Sequence, residues 1–170
     1  MAIVSLAATL GLSSSGARAA ADPARTIAAA NQLERLVLVE LNNVRRAQGL
    51  APLRASAPLA SAAEAHSRAM GRYGFFAHES RDGSPFFERV RRFYRPQSGA
   101  WAVGENLLWS TPGLQAKAAV GLWMKSPAHR QNILTARWRE IGLSAVSVPG
   151  APGVFGGRDV VIIRTDFGVR

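Results

Sequence analysis

Three short segments hold the residues best suited to chemistry. The first is Ser126-Pro127-Ala128-His129-Arg130-Gln131-Asn132-Ile133-Leu134. Ser followed by Pro is a helix-entry signal, because a Ser hydroxyl can cap a free backbone N–H and Pro suits the first helical position. His129 then falls in the first turn, where the positive end of the helix disfavours an imidazolium. A neutral imidazole there can serve as a ligand or a hydrogen-bond acceptor. The other two polar segments, Phe75-Phe76-Ala77-His78-Glu79-Ser80 and Gly104-Glu105-Asn106-Leu107, are candidates to converge on it. His66 lies on an apolar helix face and reads as a packed core histidine. Ser80, Ser84 and Ser126 sit in turn or cap contexts, so none stands out as a nucleophile.

The elements that must bring these segments together follow from periodicity. Residues 22–30 read as a short linker. From Asn31, Leu33, Leu36, Val37, Leu41 and Val44 recur at helical spacing, and the helix stops at Gly49. A second helix is expected from about Ser56 to Arg72, with Leu59, Ala62, Ala63, His66 and Met70 on one face. Ser84-Pro85 opens a short helix to about Arg92. Residues 101–109 suggest a loop leading into a strand or turn, and Ser110-Thr111-Pro112 the opening of a fourth helix. Residues 141–146 and 160–167 read as strands around a turn region rich in Gly and Pro. Helices first and strands late argue for an α+β fold, a small antiparallel sheet covered by helices.

At 170 residues the chain makes one domain with a proper core. Its formal net charge is +10, and all of the basic residues except Lys117 and Lys125 are arginines. Such a balance attracts anionic partners, for instance acidic lipid headgroups or phosphate-bearing envelope polymers. Arg89, Arg91, Arg92 and Arg95 form a basic run that reads as a solvated helix face. Cysteine is absent, which excludes disulfides, thiol chemistry and Cys-based metal sites. Residues 1–21 resemble an export signal: Ala2 to Leu12 is an apolar run of suitable length and Ala17-Arg18-Ala19 a small-x-small cleavage site, although a basic start is missing. The run is too short to span a membrane comfortably. A secreted or periplasmic monomer is therefore expected, with no transmembrane segment in its mature form. Export and the want of a binding motif both argue against nucleic acid as a partner.

Several motifs, in order, carry a family resemblance: Leu41-Asn42-Asn43-Val44-Arg45, Phe76-Ala77-His78, Gly104-Glu105-Asn106-Leu107, Trp123 through Leu134, and Glu140-Ile141-Gly142. Together they resemble the CAP superfamily of cysteine-rich secretory proteins, insect venom antigens and plant pathogenesis-related proteins, in its cysteine-free bacterial branch. The resemblance covers residues 31–170 and implies an α-β-α sandwich with a central cleft.

Many members line that cleft with two histidines and two glutamates. By resemblance His78, Glu105 and His129 occupy three of the positions. Where many animal members carry the other glutamate, this chain has Lys125 and Ser126; Glu140 is a candidate substitute. Asn106, Trp123, Ser126, Arg130 and Asn132 would support the cleft. Two imidazoles and a carboxylate are an acceptable set for zinc with an open position, and a hydrogen-bonded cleft network in which Glu105 orients one imidazole is the alternative. No His-Glu-x-x-His motif is present. Three functions are compatible with this. One is a cleft-based binding module for a small amphiphile, an envelope glycan or an anionic lipid. The second is a metal-assisted, peptidase-like hydrolase. The third is a basic, envelope-associated structural protein with an inert cleft.

Overall fold

The structure, a computed structural model, describes residues 23–97 and 100–170. Helix α1 (Pro23–Ala47) is followed by the two-residue strand β1 (Arg54–Ala55), then α2 (Ala57–Tyr73) and α3 (Phe86–Phe93). Strand β2 (Ala102–Ser110) leads to α4 (Ala116–Lys125) and α5 (Pro127–Leu134). The chain ends in β3 (Glu140–Ala151) and β4 (Arg158–Val169). The sheet order is β1-β3-β4-β2, antiparallel except for the β1–β3 pair. Helices cover both faces, so the architecture is the expected α-β-α sandwich. Among the described residues no helix is long and apolar enough to cross a membrane.

Strand alternation divides the core between the two faces. Leu108, Ile141, Ile163 and Phe167 join Val37, Leu41, Trp123, Ile133 and Trp138 beneath α1, α4 and α5. The opposite face carries Leu107, Trp109, Val160 and Ile162 with Met70 of α2. Helix α2 comes very near the sheet: a Cβ on Gly142 would lie 2.0 Å from the Leu59 carbonyl carbon. That separation leaves no room for any side chain, which is why glycine stands there.

Strand β2 ends the sheet, and its outer edge is covered from the helices. Trp123 Nε1 donates to Leu107 O at 3.1 Å, and Asn132 Nδ2 to Glu105 O at 2.9 Å. Side chains thus satisfy carbonyls that a bare edge would offer to another strand.

Four local expectations change. Helix α1 starts at Pro23, within the stretch expected to be a linker. Gly104 to Leu107 is strand, not loop; both of its faces are buried, so the alternation that marks a half-buried strand is missing. Helix α4 opens at Ala116, with Gln115 ahead of it, five residues beyond the expected opening at Thr111-Pro112. Strand β3 runs on to Ala151 through a bulge after Val148, in place of the expected turn. The proposed export signal lies outside the described residues.

Candidate functional site

The three chemistry-bearing segments meet beside β2, where it ends the sheet. A pocket of about 220 Å³ is lined by His78, Phe86, Val103, Gly104, Glu105, Ala128, His129 and Asn132. His78 arrives from the loop between α2 and α3, Glu105 from β2, and His129 from the first turn of α5. Larger hollows flank α1, about 380 and 410 Å³, but neither contains a histidine.

His78 and Glu105 form a direct pair, Nδ1 to Oε1 at 2.6 Å. Glu105 is buried, and its second oxygen meets two guanidinium groups: Arg164 Nη2 at 2.5 Å and Arg89 Nη2 at 3.1 Å. Arg89 also donates to His78 O at 3.2 Å and to Ser80 Oγ at 2.8 Å, so it clamps the His78 loop as well as the carboxylate. Arg164 in turn grips Asp166, Nε to Oδ1 at 2.7 Å and Nη2 to Oδ2 at 3.0 Å. With Glu105 and Asp166 ionised, the two carboxylates and two guanidinium groups balance in charge. A carboxylate accepting from a neutral His78 places its proton on Nδ1 and leaves Nε2 as an acceptor.

Further hydrogen bonds hold the frame. His66 Nε2 donates to Ala77 O at 2.9 Å, one residue before His78. Asn106 Nδ2 donates to His129 O at 3.1 Å, and Asn132 Nδ2 also reaches Asn106 Oδ1 at 3.1 Å. Burial pushes the His129 pKa down and keeps that imidazole neutral at neutral pH. Its Nδ1 is buried with no hydrogen-bond partner. Burial also lowers the Arg89 pKa to about 10, helped by Arg164, which still leaves it charged at neutral pH.

The family model for the cysteine-rich secretory protein family, CAP, matches residues 38–156, more than half of the chain. The chain belongs to this family. The Bacillus subtilis (strain 168) protein YkwD is 37% identical over 113 residues, which are 64% of this chain and 41% of YkwD. This CAP chain therefore spans well under two thirds of that relative. An extracellular SCP-domain protein from Bacillus anthracis has the same fold, with a TM-score of 0.70 at 20% identity over 90% of this chain and 45% of that one. An outer surface protein from Borrelia burgdorferi superposes with a TM-score of 0.68 at 19% identity, over 82% of this chain and 93% of its own.

Within this CAP domain His78, Glu105 and His129 share one pocket, and Glu140 does not join them. The Glu140 carboxylate accepts from Tyr94 Oη at 2.5 Å and lies 3.7 Å from Arg170 Nε. Ser126 precedes α5 as expected, yet its buried hydroxyl makes no capping bond. Asn132 lines the pocket, Trp123 braces the β2 edge from the core, and Arg130 is exposed. The basic run is no uniform solvated face: Arg91, Arg92 and Arg95 are exposed, whereas Arg89 is buried against Glu105.

The donor set does not suit a metal cation. Glu105 already accepts from His78 and from two guanidinium groups, and a cation would have to displace or face those positive charges. Among the described residues no group of three or more His, Asp or Glu is arranged to hold a metal ion. Sequence reasoning passed over Arg164 and Asp166. Their signal was two opposite charges two residues apart, on one face of an otherwise apolar strand.

Proposed function

We propose that this CAP domain is a secreted or periplasmic binding module whose pocket takes one compact, hydroxyl-bearing group of a cell-envelope ligand, such as a sugar ring or the head of an amphiphile. The observation that carries it is the polarity of the pocket. Phe86, Val103 and Ala128 offer apolar walls. In its neutral form His78, with Nδ1–H donating to Glu105, presents Nε2 as an acceptor, and burial keeps His129 neutral. Donor hydroxyls on an otherwise apolar ring face complement such a surface. At about 220 Å³ the pocket is smaller than the usual range for whole drug-sized ligands, so it suits one group of a larger molecule.

The test is a titration of isotope-labelled protein with soluble envelope glycan fragments and, separately, with phosphatidylglycerol–phosphatidylethanolamine vesicles. Saturable shifts at His78, Val103, Ala128 and His129 are expected with one of the two. Saturating amounts of both that leave these signals unmoved would overturn the reading. A hydrolytic role has one observation in its favour, the carboxylate–imidazole pair of Glu105 and His78, which could serve as a general base toward water. Turnover of a bound fragment that disappears in His78→Gln would select it.

A further inference from the structure

We propose that Arg164, itself held by Asp166, is the positioning residue of the site: it anchors Glu105 so that His78 is committed to the tautomer with its proton on Nδ1. The starting point is a conflict in the sheet. Glu105 on β2 and Asp166 on β4 are direct register partners on the same face, and two carboxylates in that relation repel. Arg164, two residues before Asp166, shares that face and resolves the conflict. Its Nη2 lies 2.5 Å from Glu105 Oε2 while its Nε and Nη2 bind both oxygens of Asp166.

The geometry goes further than charge balance. Arg164 and Asp166 are both fully buried, and neither lines the pocket, so neither can touch a ligand there. Replacing such a buried ionic cluster with apolar side chains is often neutral or stabilising, so the cluster is a weak way to stabilise a core. What it does is fix orientation. A guanidinium is a rigid planar fork, and with two of its nitrogens committed to Asp166 it presents Nη2 to Glu105 in one direction. Arg89 takes the same Oε2 from the α3 side at 3.1 Å. Glu105 Oε1 is left to accept from His78 Nδ1 at 2.6 Å. The chain Asp166–Arg164–Glu105–His78 thus runs from the sheet interior to the pocket wall. The binding reading supplies the use of the exposed acceptor, but the chain of contacts stands without it.

The experiment reads the tautomer directly, from the side-chain nitrogen shifts of His78 in ¹⁵N-labelled protein at neutral pH. Arg164→Lys keeps the charge and loses the fork, and the double variant R164M/D166L replaces the pair with apolar groups of similar size. His66 is the internal control, since its bond to the Ala77 carbonyl requires the proton on Nε2 and reports that the fold around the loop is intact. The neutral ring of His78 in the wild type is expected to be the tautomer with its proton on Nδ1. Both variants should show a mixture of tautomers at His78 with His66 unchanged. A variant with native His66 signals and an unchanged His78 tautomer would reduce Arg164 to a structural role. A wild type with mixed or Nε2-protonated His78 would overturn the proposal with no variant needed, even if a variant failed to fold. Ligand titration is a separate readout, so loss of the binding reading would leave this result standing.

Discussion

His66 Nε2 sits 2.9 Å from the carbonyl oxygen of Ala77, so helix α2 holds the residue immediately before His78. Burial is the main cause that lowers the His66 pKa from 6.5 to about 3, with Arg164 and Arg89 adding to it. Between those values the folded state binds fewer protons than the unfolded chain. Stability therefore rises with pH across that window and is lost as pH falls from 6.5 toward 3, by up to about 1.4 kcal/mol per unit. His129, lowered in the same direction, adds to the loss. Asp166 opposes it: burial raises its pKa from 3.8 to about 6 against the pull of Arg164, so its contribution is present below 3.8 and fades as pH rises to about 6. Comparing wild type with His66→Phe removes the shared terms. Urea titrations between about pH 4 and 7 should show the variant losing less stability on acidification. Equal losses in the two proteins would mean that His66 is not the buried neutral group described.

Arg89, Arg91 and Arg92 provide a comparison within one short helix. Arg89 is buried and contacts Glu105, His78 O and Ser80 Oγ, while its two neighbours are exposed. Arg89→Ala leaves Glu105 with one guanidinium and frees the His78 loop, for an expected cost of about 3 kcal/mol. Arg91→Ala and Arg92→Ala should each change stability by less than about 0.5 kcal/mol. Denaturant midpoints for the three variants check this, and similar values for all three would return Arg89 to the surface.

These two sites also show where the sequence was readable. Helix α5 and the placement of His129 were legible because Ser126-Pro127 is a local signal, and local signals survive folding. The helical spacing of Leu33, Val37, Leu41 and Val44 likewise found α1, although not its start. Arg89 was not legible, because periodicity within α3 cannot say which arginine finds a buried partner 16 residues away on another element. Gly104-Glu105-Asn106 looked like a loop because polar residues that satisfy one another across the sheet imitate polar residues that face water. The Arg164–Asp166 pair was hidden for the same reason: its partner lies on β2, and only the β2–β4 register brings them together.

Asn132 joins the two halves of the site, since its Nδ2 donates to both Glu105 O and Asn106 Oδ1. Asn132→Ala removes both donors and should cost about 1–3 kcal/mol for the acceptors left unpaired. Asn132→Asp should cost more, because it sets a carboxylate oxygen against two acceptors at the same spot. Thermal unfolding ranks the three proteins. The order wild type, Ala, Asp is expected, and an aspartate variant more stable than the alanine one would contradict the assigned amide orientation.

Zinc affinity is decided by what Glu105 already binds. His78 and His129 offer two imidazole donors, but the third ligand of the set is committed to Arg164, Arg89 and His78 itself. A zinc ion taking Glu105 would have to break the 2.6 Å bond to His78 Nδ1 and come to rest beside two buried positive charges. That repulsion is poorly screened in a buried site. Calorimetric titration of zinc at neutral pH is therefore expected to give no saturable heat in the wild type beyond that of the double variant His78→Ala/His129→Ala. Tight one-to-one binding lost in both single variants would require Glu105 to leave Arg164 on metal entry, and the nitrogen shifts of His78 would then move with zinc. That pair of results would replace the hydrogen-bonded network with a metal centre and revive the hydrolytic reading.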